Sequence, residues 1–143
     1  MWMPELFPKP ALAVCWGAGW DSTAMLIEME KRGERPDLIT FADTGGEKPG
    51  TYDFIPIFMA WLCDHDFPAP VICEYRPKPE TSARYRRAVL AMAARLGIAL
   101  TADQIERLSR LYGNMIANET LPGLAFGLKS CSIKWKLEAQ EPT

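Results

Sequence analysis

Short apolar runs alternate with amphipathic segments along the first half of the chain. The runs at 11–16, 37–42 and 70–75 are rich in aliphatic and aromatic side chains and begin at or beside a proline, which is typical of buried strands. Residues 23–32 and 51–65, which lie between these runs, carry apolar side chains at helical spacing. This alternation predicts an α/β fold in which parallel strands are joined by right-handed crossovers.

The second half of the chain is predicted to be helical. Residues 81–96 form an Ala- and Arg-rich amphipathic run that ends at a glycine. Thr101 and Gln104 have the spacing of a capping box, which predicts a second helix that continues through Met115. The two helices are predicted to form an αα-hairpin, which makes residues 76–118 a helical insertion.

Composition narrows the class of protein. The chain has 143 residues, 48% of them hydrophobic, which suits a single domain over 1–143. Its formal net charge of −2 disfavours nucleic acid as a ligand, and no apolar run is long enough to span a membrane. The cysteines lack Cys-x-x-Cys spacing, so we expect neither zinc nor an iron–sulfur cluster, and a cytoplasmic location. Cys15 and Cys73 lie inside predicted strands and are expected to be core thiols.

A loop of small residues follows the first predicted strand, in the sequence CWGAGWDST at 15–23. Small residues let backbone N–H groups approach an anion, and the helix that follows adds the partial positive charge of its N-terminus. Ser22 and Thr23 add two hydroxyl groups. The glycines alone are also compatible with a simple tight turn. With the Asp-Ser-Thr ending, the segment predicts a phosphate-binding loop.

Three ordered motifs resemble those of the adenine nucleotide alpha hydrolases, the PP-loop superfamily that includes N-type ATP pyrophosphatases and phosphoadenylyl-sulfate reductases. The loop at 15–23 is similar to the Ser-Gly-Gly-x-Asp-Ser-Thr loop of that superfamily. FADTGGEKPGTY at 41–52 is similar to its Asp-Thr-Gly…Glu-Thr-Tyr stretch, and SCSIKWK at 130–136 to its Cys-Cys/Ser-x-x-x-Lys segment. With the segment at 120–127, the chain resembles small reductase-like proteins of phage and prophage genomes.

The resemblance implies a three-layer, Rossmann-like, mainly parallel sheet. Members of the superfamily have more strands than the three predicted in this sequence. We therefore expect a sheet that is shortened at the C-terminus or covered by another chain. Open sheet edges favour pairing with a second copy. We expect a homo-oligomer in which the helices of 80–118 present Val89, Met92, Leu108 and Leu111 to the partner.

The resemblance also implies a chemistry, in which a nucleophile attacks the α-phosphorus of ATP and pyrophosphate leaves. Backbone N–H groups of 17–20 and the hydroxyls that follow are implied to hold the phosphates, and residues 43–45 to border the nucleoside. Asp21 is the implied Mg²⁺ ligand and, with Lys134, the implied catalytic residue. The implied nucleotide-binding residues are Gly17, Ala18, Gly19, Trp20, Ser22, Thr23, Asp43, Thr44, Gly45, Cys131, Ser132 and Lys136.

Departures from the family pattern leave three functions open. Gly17 and Ala18 stand where the family loop has Ser-Gly, and Trp20 stands where many members have Lys. The chain also lacks the Glu-Cys-Gly-x-His tail that carries the thiol of sulfonucleotide reductases. The alternatives are an ATP pyrophosphatase or adenylyl-transfer enzyme with an unknown acceptor, a nucleotide-binding module or partner subunit without turnover, and a reductase-like protein that needs an external thiol.

Overall fold

A computed structural model describes residues 10–120, 135, 136 and 138–140. The fold class is α/β, as predicted, and three strands form a parallel sheet in the order β1-β2-β3. The described residues divide into two compact units, the first with 10–41 and 50–71 and the second with the remainder. In chain order the elements are β1 (Ala13–Cys15), α1 (Trp20–Lys31), β2 (Leu38–Asp43), α2 (Pro49–Asp64), β3 (Val71–Glu74), α3 (Pro79–Leu96), α4 (Ala102–Leu108), α5 (Leu111–Asn118) and a 3-10 turn (Glu138–Gln140).

In the first unit, β1 and β2 bury one face and expose the other. The strands pair in parallel, with Val14 opposite Ile39, and both of these side chains are buried. Ala13 and Leu38, which also lie opposite each other, are exposed. Cys15 is exposed as well, so the expectation of a core thiol at this position is wrong. The physical reason is the two-residue period of a strand, which places Cys15 on the face opposite Val14.

The core of the first unit forms on the buried face of this strand pair. Trp16 lies at its centre with 1% of its surface exposed. Its ring centroid lies 5.8 Å from that of Phe41 and 5.2 Å from that of Phe58. Burial of each such aromatic side chain stabilises the fold by about 2–3 kcal/mol. The buried members of this core are Val14, Trp16, Leu26, Met29, Ile39, Phe41, Ile55, Phe58, Leu62 and Phe67.

Helix α2 ends at a histidine cap. The ring of His65 stacks on the indole of Trp61 with the centroids 4.1 Å apart. Its Nδ1 lies 2.7 Å from the carbonyl oxygen of Trp61. An Nδ1–H group donates to that oxygen and satisfies one of the carbonyl groups that a helix C-terminus leaves without a partner.

Residues 79–118 of the second unit form three helices where the sequence predicts two. The capping box at the start of α4 is present, because the Thr101 hydroxyl accepts from the Gln104 N–H and the Gln104 side chain accepts from the Thr101 N–H. The predicted single helix through Met115 is wrong, since the chain leaves the helix after Leu108 and a new helix, α5, begins at Leu111. None of the helices in the described part of the chain is both long and apolar enough to cross a membrane.

The break between α4 and α5 has a local cause. Arg110 has φ −90° and ψ −107°, which lies outside the helical region. The next N–H group, that of Leu111, donates to the carbonyl oxygen of Thr44 at 3.3 Å. A hydrogen bond to a distant segment thus replaces a helical one, which sequence periodicity does not report.

Helices α3 and α5 pack closely against each other. A Cβ atom added at Gly113 would lie 2.7 Å from the Cβ of Tyr85, so only glycine fits. The Tyr85 hydroxyl donates to the side-chain oxygen of Asn114 at 2.7 Å. Val89 is buried in the same unit, so this residue does not belong to the surface that we predicted for self-association.

We predict that Gly113→Ala lowers the free energy of unfolding by about 2 kcal/mol, because the new methyl group overlaps the rigid Cβ of Tyr85. Gly50→Ala is the matched control, since a Cβ atom in this helical position meets nothing within 4 Å. It should raise the stability by about 0.5–1 kcal/mol through helix propensity. Urea unfolding followed by circular dichroism measures both, and a stabilising Gly113→Ala would contradict the close packing.

Candidate functional site

The predicted phosphate loop joins β1 to α1 in the first unit. Helix α1 begins at Trp20, earlier than the sequence indicates, which makes Gly19 the N-cap residue and places Asp21 in the first helical turn. Gly19 has no side chain and therefore gives the first-turn N–H groups no side-chain cap. A helix N-terminus in this state offers hydrogen-bond donors and a partial positive charge.

The two hydroxyl groups of the motif hold the loop against its own helix. The Ser22 hydroxyl oxygen lies 3.1 Å from the backbone nitrogen of Gly17 and accepts its N–H. Thr23 Oγ1 accepts from the indole N–H of Trp16 at 3.0 Å. These side chains therefore fix the shape of the loop, in addition to the phosphate contact that the sequence predicts for them.

The loop is open to solvent and locally strained. Gly17 and Gly19 are exposed, and a Cβ atom built on Gly19 would meet nothing within 4 Å. Ala18 lies between them with φ 52°, in the left-handed region that costs a residue with a side chain about 1 kcal/mol. Asp21 is exposed beside the loop, and Trp20 is exposed to 94%. The backbone at Gly19 is accessible to an anion, whereas the Gly17 N–H already donates to Ser22.

The second predicted segment, residues 43–45, lies in the second unit, where the Asp43 carboxylate forms an ion pair with Arg110. Asp43 Oδ2 accepts from Arg110 at 2.9 Å, and Asp43 Oδ1 accepts from the Gly45 N–H at 2.9 Å. The other arm of the Arg110 guanidinium donates to Glu74 at 2.9 Å. Only 12% of the Arg110 side chain is exposed. One cation thus joins two carboxylates in a poorly hydrated place.

Sequence reasoning missed Arg110, the cation that pairs with Asp43, and Glu74, the second carboxylate that Arg110 binds. Arg110 lies 67 residues from Asp43, and 36 residues separate it from Glu74. Neither residue belongs to a motif, and a spacing of this size carries no local signal. Only the folded chain brings these groups together.

The residues around the junction of α4 and α5 also pack closely against the backbone of Gly45 and Gly46. Gly45 has φ 73°, and a Cβ atom there would lie 2.3 Å from the carbonyl oxygen of Arg107. The Tyr112 hydroxyl donates to the carbonyl oxygen of Gly46 at 3.3 Å. Asp43, Thr44 and Gly45 are all buried as a result. The nucleoside contact that the sequence predicts at these residues would require the segment to move.

The third predicted segment is only partly described. Cys131, Ser132 and Lys134 lie outside the described residues. Trp135 is buried, and its ring meets the ring of Tyr75 edge-on with the centroids 4.8 Å apart. Lys136 is exposed and can offer its charge to an anion.

Clustered metal ligands are absent from the described residues. No group of three or more His, Cys, Asp or Glu side chains in this part of the chain is placed to hold a metal ion. Asp21 is an exposed carboxylate beside the predicted phosphate loop. Mg²⁺ bound through one or two carboxylates, phosphate oxygens and water needs no larger set of protein ligands.

We predict that Arg110→Ala lowers the free energy of unfolding by about 3 kcal/mol, because it leaves the Asp43 carboxylate buried without its cation. Arg32→Ala is the matched control. It removes a pair to Glu28 with the same 2.9 Å separation but with both side chains at least half exposed. That loss should cost less than about 0.5 kcal/mol. Urea unfolding separates the two variants, and equal losses would count against a stabilising role for the buried pair.

The two described loops differ in what they offer a ligand. The loop at 17–19 is open, and its helix lacks a side-chain cap. Residues 43–45 are buried and hydrogen-bonded inside their own unit. No protein-family model, curated protein or solved structure matches the chain.

Proposed function

We propose that this chain is an adenine nucleotide-binding protein of the PP-loop type and that the loop at 17–23 binds the phosphates of ATP. The observation that carries the proposal is the order of β1, an open small-residue loop and α1, with the Asp-Ser-Thr motif in the first turn of the helix. The resemblance of the 41–52 and 130–136 segments to the same superfamily supports it.

The physical basis for phosphate binding is the uncapped first turn of α1. Its N–H groups point along the helix axis, where the helix dipole favours a negative charge. Gly17 and Gly19 leave room for phosphate oxygens to approach the backbone. Each hydrogen bond to a charged phosphate oxygen contributes about 1.5–3 kcal/mol. The strain at Ala18 is consistent with a loop whose shape is kept for binding.

Charge neutralisation falls to Asp21-bound Mg²⁺ and to lysines elsewhere in the chain. Residues 15–23 contain no Lys or Arg, so the loop has no cation of its own. Mg²⁺, when bound, offsets the phosphate charge and polarises the phosphate oxygens. Asp21 would bind it directly or through water. Lys134 and Lys136 remain the predicted source of further positive charge.

The reaction that we propose is displacement at the α-phosphorus. An oxygen nucleophile forms a bond to the α-phosphorus while the bond to the oxygen bridging the α- and β-phosphorus breaks, and pyrophosphate leaves with the electron pair. Water as nucleophile gives AMP, whereas a carboxylate or carbonyl oxygen gives an adenylylated acceptor. The loop contributes by orienting the phosphates and by donating hydrogen bonds to them.

A binding module without turnover is the second candidate function. The buried ion pair of Asp43 favours it, because this carboxylate already binds Arg110 and the Gly45 N–H. Trp20 favours it as well, since an indole supplies no charge to a leaving pyrophosphate. A protein of this kind would bind the nucleotide without hydrolysing it and would act as a sensor or as the partner of another subunit.

We predict that Mg-ATP binds the protein and that Asp21→Asn weakens binding at least tenfold, which is about 1.4 kcal/mol. The change removes a negative charge and a metal ligand while keeping the shape of the side chain. Asp53→Asn is the matched control, because Asp53 is also an exposed helical residue of the first unit. Isothermal titration calorimetry measures both. No heat at millimolar Mg-ATP, or equal weakening by both variants, would contradict the proposed site.

We predict that any turnover yields AMP and pyrophosphate in place of ADP and phosphate. With water as the nucleophile, attack at the α-phosphorus allows only the first pair of products. Anion-exchange chromatography of the nucleotides, together with a coupled pyrophosphate assay, distinguishes the two pairs. Formation of ADP would refute the PP-loop assignment. Tight binding without either pair would select the binding module.

A further inference from the structure

Trp20 is exposed in a way that folding does not explain. Its side chain is 94% exposed, whereas Trp16 and Trp135 are each 1% exposed. Burial of an aromatic side chain of this size normally stabilises a fold by about 2–3 kcal/mol. The exposed ring of Trp20 does not contribute this stabilisation. The ring makes almost no contact with its own chain, so its presence at this position points to a contact with another molecule.

The position of Trp20 relative to the phosphate loop indicates which molecule. Trp20 is the first residue of α1 and directly follows Gly19, where an added Cβ atom would meet nothing within 4 Å. A ligand whose phosphates lie against the backbone of 17–19 is therefore within reach of this indole. Nucleotides combine a phosphate chain with a planar aromatic ring, and indole is an effective stacking surface for such a ring.

Residues 43–45, which the sequence predicts to border the nucleoside, have few groups left to contact a nucleobase in the described structure. Asp43 and Thr44 are buried, and both oxygens of the Asp43 carboxylate already accept hydrogen bonds. Stacking on an exposed indole needs no free hydrogen-bonding group. Trp has only two side-chain torsions, so immobilising its ring costs little entropy.

We propose that Trp20 is a stacking platform for the base of the bound nucleotide. This inference rests on the proposed function, since the phosphates must occupy the loop at 17–23 for the base to reach the indole. Every base has a π-face, so stacking recognises a planar base without selecting adenine. Specificity at this contact is therefore for a nucleotide over a bare polyphosphate.

The test compares two probes, Mg-ATP and Mg-tripolyphosphate, by calorimetry on the full chain. Tripolyphosphate keeps the phosphate contacts and lacks the ring. We expect Trp20→Ala to weaken Mg-ATP binding about tenfold and to leave Mg-tripolyphosphate binding unchanged. Trp20→Phe should retain most of the affinity for Mg-ATP, because it keeps an aromatic face. Trp20→Ala should weaken Mg-GTP binding by the same factor as Mg-ATP binding, because stacking does not select the base.

Ile57→Ala is the matched control, because Ile57 is an apolar residue on α2 of the same unit and is 67% exposed. It should change neither affinity. Wild-type protein that binds tripolyphosphate, combined with a Trp20→Ala variant that weakens both ligands equally or neither, would overturn the stacking and leave the phosphate site intact. Wild-type protein that binds neither probe would overturn the proposed function and this inference with it. Thermal melting verifies that each variant is folded.

Discussion

The buried indole of Trp16 is the contact on which the first unit depends. Its backbone N–H donates to the Thr40 carbonyl at 2.8 Å, and its ring lies in the aromatic core beside Phe58. Its indole N–H donates to Thr23 in the first turn of α1. One residue therefore joins the strand pair, the core and the start of the helix. The loop between Trp16 and Thr23 is therefore held at both ends by hydrogen bonds.

The second unit depends on a different constraint, the need to satisfy a buried charge. Asp43 ends β2 in a place with little access to water, where an ionised carboxylate is costly unless it is paired. Arg110 supplies the pair at the point where α4 gives way to α5. The helix break and the ion pair therefore occur at the same residue. An uninterrupted helix would not place Arg110 in this non-helical conformation.

Two tryptophans flank the same loop in opposite environments. Trp16 precedes Gly17 and is buried, whereas Trp20 follows Gly19 and is exposed. The same type of side chain thus packs into the core on one side of the loop and is exposed to solvent on the other. A Lys at position 20 would serve as a cation for phosphate, and the indole replaces that charge with an aromatic face. This difference separates the binding chemistry that we propose from the one that the family resemblance implies.

The sequence by itself determined the order of strands and helices, the position of the small-residue loop between β1 and α1 and the capping box at Thr101, because periodicity and capping act over a few residues. Helix α1 still began earlier than its apolar pattern indicated, since the small residues and Trp20 carry no helical period. Only the tertiary structure decided the exposure of Cys15, the break at Arg110 and the burial of Asp43. Each of these depends on which strand face is covered, or on partners tens of residues away, and local sequence carries no record of either.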